Sequence, residues 1–351
     1  MLKIKPKVLI PIISAILILG LVVFLWTGVW NPYWNPFRLS HMRMLNEAME
    51  KLFTLEIFRA EADISLEFEK PESKAENLKF SFNFKGDLDF KNKKSASNIN
   101  FKLEGEESPV SISLGGETRG LGDELYFKID TLPPFLLFFF LGDIEEIEGK
   151  WIKIDRERLK ILSKKEEGEA TPQTMNELLK EFVDALREHK ALKVKDVLAS
   201  EKIDGVKTFH LVVAFEKEGL KKALIEFLPK LKEYLPEEDR GTFEKELQEA
   251  LKNLPEKLDN FFKKSGEIEF EVWIGKDKWL RKIKFEKEID TSQFEEFKDL
   301  PEKQIKVRLS LDLRLSNFQK KIEVQAPKDF KPIEEIIPNF YSGSFSLPLG
   351  Q

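Results

Sequence analysis

Three histidines, His41, His189 and His210, are the residues of this 351-residue chain best suited to moving protons near neutral pH. They lie far apart, and none stands at ligand spacing from another, so neither a metal site nor a histidine-driven mechanism is expected. His210 alternates with Phe209 and Leu211, which predicts a surface position. Cysteine is absent, which excludes disulfides, thiolate metal sites, thiol nucleophiles and a lipid-modified cysteine together. No Gly-x-Ser-x-Gly elbow or Ser-x-x-Lys motif nominates a serine. Gly115, Gly116, Gly120 and Gly122 lack the Gly-Lys-Ser/Thr ending of a phosphate loop, and Gly122-Asp123 reads as a turn. The many carboxylates alternate with lysines on faces that must be wet, so no acid/base pair stands out. No enzyme activity and no cofactor is expected.

The chemistry these residues can do is apolar contact. Phe occurs 30 times against 4 Tyr, a bias toward rings without a polar handle. In residues 78–91, Leu78, Phe80, Phe82, Phe84, Leu88 and Phe90 fall on every second position, with polar residues or Gly86 between them. Side chains alternate across a strand, so this is a long strand with one apolar and one charged face. Gly86 interrupts the apolar file where a bend or bulge is expected. A face this long must be covered by helices, a second sheet or a ligand. Lys and Arg total 57 against 62 acidic residues, net −5 with the signs interspersed, which argues against nucleic acid as the partner.

The elements around that strand begin with an apolar segment. Lys3, Lys5 and Lys7 precede residues 8–26, nineteen nearly all aliphatic or Phe positions within an uncharged run that reaches Phe37. At about 1.5 Å per residue this matches a hydrocarbon core of roughly 30 Å. Trp26, Trp30, Tyr33 and Trp34 then form an interfacial aromatic belt. A cleaved signal peptide is the alternative, but the apolar core is long and the Trp26-Thr27-Gly28 exit puts Trp where cleavage wants a small residue. The reading is a cytoplasmic N-terminus at 1–7, an uncleaved transmembrane anchor at 8–30, and an extracytoplasmic body at 31–328 on the cytoplasmic membrane.

Within the body, Met42, Leu45, Met49, Leu52 and Phe53 have helical spacing. Period-two strands come next at 60–68, 78–91, 99–103, 110–114, 125–129 and 151–155, an antiparallel meander. Residues 132–141, Leu-Pro-Pro-Phe-Leu-Leu-Phe-Phe-Phe-Leu, are too few to span a bilayer and read either as core filler or as a hydrophobic lid near the membrane. Thr171-Pro172 opens a helix, and Asp204-Gly205 is a strong hairpin signal. Pro229, Pro236 and Pro255 divide a helical insertion at about 217–264 into three or four pieces. Strands resume at 268–274, 283–285 and 305–315, with Ile322 and Val324 finishing the set, and 329–351 reads as a C-terminal tail.

The segments Gly122-Asp-Glu-Leu-Tyr-Phe-Lys-Ile-Asp130, Gly149-Lys-Trp-Ile-Lys-Ile-Asp155, Glu201-Lys-Ile-Asp-Gly-Val-Lys-Thr-Phe-His-Leu-Val-Val213 and Glu271-Val-Trp-Ile-Gly-Lys-Asp-Lys-Trp-Leu-Arg-Lys-Ile283, in this order, resemble the LolA/LppX-like superfamily of bacterial envelope proteins. With the period-two pattern, the resemblance implies an α+β fold. It is an open, strongly curved antiparallel sheet, an unclosed barrel of about eleven strands, with helices in its concave face. It further implies an apolar cavity for a lipid or lipoprotein acyl chain. The expected ligand contacts are Ile64, Leu66 and Phe68; Phe80, Phe82 and Phe84; Leu125, Phe127 and Ile129; and Phe135, Phe138, Phe139 and Phe140 in the apolar segment. The missing cysteine and the fixed anchor depart from many members, favouring lipid sensing or local handover over a soluble shuttle. The alternative is an anchored interaction or sensor domain with a self-filled core, whose partner is another envelope protein.

Overall fold

The architecture comes from a computed structural model, which describes residues 40–69, 77–105, 111–133, 147–155, 172–234, 237–293 and 305–336. The expected anchor at 8–30, most of the apolar segment 132–141 and the end of the tail lie outside the described residues. Among the described residues no helix is long and apolar enough to cross a membrane. The chain forms two compact units, Met1–Met44 and Leu45–Gln351, and every strand belongs to the second.

Alternating apolar residues make strands β1 (Ile57–Glu69), β2 (Leu78–Asp89), β3 (Lys94–Gly105), β4 (Ser111–Leu121), β5 (Glu124–Thr131) and β6 (Trp151–Asp155). Helix α1 (His41–Leu52) precedes them, and α2 (Pro172–Glu188) succeeds them. Then come β7 (Leu192–Leu198), β8 (Lys202–Ile203), β9 (Val206–Phe215), α3 (Lys217–Phe227), a 3-10 segment (Leu228–Tyr234) and α4 (Glu237–Ser265). The chain closes with β10 (Glu269–Gly275), β11 (Leu280–Asp290), β12 (Lys306–Ser316), β13 (Lys331–Pro332) and the one-turn α5 (Ile333–Ile336).

The strands form one open sheet in the order β13-β6-β5-β4-β3-β2-β1-β12-β11-β10-β9-β7, with β8 paired to β9. Neighbours are antiparallel except β13 and β6, which run parallel. Short turns join β2 to β3 and β4 to β5. At the β8–β9 hairpin, Asp204 and Gly205 both take positive φ, 50° and 77°, as a two-residue hairpin turn requires.

Gly86 departs from expectation. The β2–β3 register runs through it without a shift, pairing Gly86 with Ser97. A Cβ there would sit 2.8 Å from both Phe84 Cζ and Ser97 Cβ, so glycine makes room for the Phe84 ring and no bulge forms. Bulges fall instead at Gly115/Gly116, Val194/Asp196 and Trp273/Ile274.

Three further expectations are corrected. Pro255 lies inside α4 and does not divide it. Ile322 and Val324 form no strand; residues 317–330 are an irregular strap, with Ile322 buried. Of the stretch read as a tail, Lys331–Pro332 pairs with β6 and Ile333 is buried at 3% exposure, so the sheet-bound chain extends to Ile336.

Among the described residues, apolar clusters fill both ends of the sheet. At the β7–β9 end, Ala185 and Leu186 of α2, Ala191, and Leu220 and Ala223 of α3 are buried, with Phe215 of β9 and Phe262 of α4 packed against them. At the β6 end, Ile147, Ile152 and Ile333 are buried together. Each such Ile or Leu contributes about 1.5–3 kcal/mol.

Candidate functional site: the apolar face of the central sheet

Registers carry the alternation of single strands into rows across the sheet. One row runs Phe285–Leu311–Ile64–Phe82–Phe101–Leu114, through β11, β12 and β1 to β4. The row above runs Leu309–Leu66–Phe80–Leu103–Ile112, and the row below Leu313–Ala62–Phe84–Ile99–Gly116. Phe68 and Phe80 meet edge to face at 5.9 Å, and Phe80 and Phe101 at 6.4 Å. Side chains grow smaller toward one end of the strands, where Ala60, Gly86, Ser97 and Thr118 make a row and the Ser97 and Thr118 hydroxyls hydrogen-bond at 2.7 Å.

The middle of this face is open. Ile64, Leu114 and Leu309 are each 38% exposed, and Leu78 is 39% exposed, although all four lie on an aliphatic and aromatic surface. Leu66, Phe68, Phe80, Phe82 and Phe84 are half-buried. The predicted contacts on β1 and β2 therefore share one face, as the alternation requires. Phe127 and Ile129 share that face too, but they pack against the Ile147–Ile152–Ile333 cluster, so the chain's own residues occupy them. Leu125 lies beside Ile154 in the β5–β6 pairing. Phe135, Phe138, Phe139 and Phe140 lie outside the described residues; Leu132 and Pro133, which lead to them, leave β5 with Pro133 buried. Thr131 is level with Gly115, Asn100, Asn83 and Asp63.

The opposite face is polar and largely self-paired. Lys85 bridges Glu61 at 2.7 Å, Lys128 bridges Glu117 at 2.5 Å, and Lys282 bridges Asp312 at 2.8 Å. Burial acts to raise the Asp312 carboxyl, but hydrogen bonds from Lys282 and Arg314 prevail and hold it below the usual range. The strap crosses this side: Arg119 donates to the Gln325 carbonyl at 3.1 Å, and Phe330 packs on Tyr126 at 5.2 Å. A recess of about 460 Å³ lies between strap and sheet, lined by Arg59, Lys85, Arg119 and Gln325 among others. Arg59 is held bidentately by Asp87 at 2.8 and 2.6 Å, and Lys85 by Glu61, so the recess offers a ligand little free charge.

His210 corrects its surface assignment. It lies on the polar face as the alternation predicts, yet it is only 5% exposed. Its Nε2 is 2.6 Å from Glu271 Oε2, its Nδ1 is 3.4 Å from Glu201 Oε1, and its ring stacks on Trp273 at 4.1 Å. The Trp273 indole N–H donates to Glu201 at 3.3 Å, so the cluster fastens the β7–β8 connection over β9 and β10. Sequence alternation gives the face of a residue but not what folds over it. Among the described residues no group of His, Asp or Glu converges as a metal site needs.

No family model matches the chain, and no curated protein matches it in sequence. Solved structures do. Lipoprotein LppX of Mycobacterium tuberculosis is 11% identical over 80% of this chain and 96% of its own, with a TM-score of 0.28. A LolA superfamily protein of Nitrosomonas europaea is 11% identical over 82% and 96%, with a TM-score of 0.18. A DUF1329 family protein of Desulfovibrio piger is 9% identical over 80% and 92%, with a TM-score of 0.17. Likeness this distant says nothing about ligand or activity.

Proposed function

We propose that this chain holds a lipid or acyl chain against the open apolar face of its central sheet. The observation that carries the reading is the exposure of Ile64, Leu114 and Leu309 in the middle of a sheet whose two ends are filled by the protein's own side chains. A soluble surface rarely leaves contiguous apolar rows uncovered without a partner for them. Each methylene buried there contributes about 0.8 kcal/mol, so an acyl chain of ten or so methylenes binds by this surface alone. In this reading the sheet curves about the ligand, residues 8–30 anchor the chain in the cytoplasmic membrane with the N-terminus inside, and the extracytoplasmic body handles or senses lipid. The segment 132–141 acts as the lid. No catalytic step is involved.

Uptake of a fluorescent fatty acid by the full chain in nanodiscs tests the proposal. Saturable uptake that is lost when Ile64 and Leu114 are both changed to Asp supports it; no uptake above empty nanodiscs overturns it. A second reading has its own observation, since Leu179 of α2 and Ile225 of α3 are 50% and 42% exposed. They suit an envelope-protein partner docked on the helices, which crosslinking from those two positions would recover.

A further inference from the structure

Lys287 falls on the apolar face: it sits directly across from Leu309 and in line with Leu66 and Phe80. The Lys287 Nζ donates to the Glu267 main-chain carbonyl at 3.0 Å and to nothing else among the described residues. The Glu267 carboxylate is no partner for it, because Lys193 and Lys195 hold it at 2.8 Å each. An ammonium carries three N–H donors, so two here lack an acceptor among the described residues. Lys85, Lys128 and Lys282 on the polar face are each matched to a carboxylate across strands; Lys287, on the apolar face, has no carboxylate partner among the described residues.

We infer that Lys287 receives the anionic head group, carboxylate or phosphate, of a single-chain lipid lying on the apolar face. The inference rests on the proposed function and adds the polarity and direction of the ligand. The head stays at β11. The tail crosses Leu309, Leu66, Phe80 and Leu103 toward Ile112, roughly 24 Å at five strand spacings, the scale of a long acyl chain. A charge-assisted hydrogen bond in this half-buried setting gives specificity that apolar rows alone lack.

The full chain in nanodiscs, loaded with the fluorescent fatty acid of the uptake assay, is titrated with dodecanoate, dodecyl phosphate and dodecanol, and displacement of the fluorophore is read. The expected result is that one or both anions bind about tenfold more tightly than the alcohol. Lys287→Met should bring the anions to the level of the alcohol without changing the alcohol itself, and Lys287→Arg should keep the preference. The difference between the two anions identifies the head group. Equal binding of anions and alcohol by the parent, or equal weakening of all three by Lys287→Met, overturns the inference while leaving the lipid reading intact. If the fluorescent fatty acid is not taken up, or none of the three displaces it, the lipid reading fails and the inference with it.

Discussion

Ile64 and Leu114 occupy the same kind of sequence position as Ile152, one apolar residue in a file of alternating ones, yet they differ in exposure from 38% to 1%. Truncation separates them. Ile152→Ala should cost about 2–5 kcal/mol, whereas Ile64→Ala and Leu114→Ala should cost under about 1 kcal/mol and weaken ligand uptake instead; urea unfolding of the three variants beside the parent checks this. Glu267 gives a pH prediction. Hydrogen bonds from Lys193 and Lys195 hold its carboxyl at about 2, below the ordinary 4.5. The folded state therefore binds this proton more weakly than the unfolded chain. The contribution is fully present above 4.5 and is lost as pH falls through about 2. Partial exposure makes the effect small, so it is best read as a difference in slope: Glu267→Gln should lose less stability than the parent across that interval. Identical slopes would contradict the assignment. At this scale the face of each residue was legible in the sequence. His210 shows the limit, since its burial comes from Glu201 and Trp273, neighbours brought to it by the β8–β9 hairpin and by the β9–β10 pairing.

Strands and hairpins were the most readable elements, because period-two alternation and turn chemistry act locally; β1 to β6, the Asp204-Gly205 turn and the β10–β11 hairpin all arise from a few adjacent residues. The elements that escaped depend on distant partners. The strap at 317–330 holds apolar residues at strand spacing, but Phe318 stacks on Trp279 at 5.0 Å and Arg119 captures the Gln325 carbonyl, so the segment satisfies itself without a ladder. Likewise, β13 is two residues long, too short for any periodicity, and its place is set by Ile333 packing on Ile147 and Ile152. Ile333→Asp should detach this end and destabilise the protein by several kcal/mol, because it puts an unpaired charge in a filled cluster; a thermal midpoint equal to that of the parent would show that the cluster contributes nothing. For the apolar segment 132–141, changing Phe138 and Phe140 together to Ser should slow lipid uptake with little change in unfolding midpoint. A loss of several kcal/mol in that variant would make the segment core and end the lid proposal.

At the scale of the molecule, the sheet is amphipathic across a dozen paired strands. The polar side is closed by its own ion pairs and crossed by the strap, and the apolar side is filled at both ends and open between them. The sequence states that such a face exists. It is silent on how much of that face the protein covers for itself, because the answer depends on helices and a C-terminal segment far away in the chain. Crosslinking in place reads whether the open part holds lipid. Full-length chain carrying benzoylphenylalanine at Phe82, on the apolar face, or at Lys85, on the polar face three residues on, is irradiated in cells and digested, and the adducts are weighed. Lipid adducts are expected at position 82 and none at 85. Adducts at 82 joining only to this chain's own peptides or to another protein, with no lipid, would contradict this.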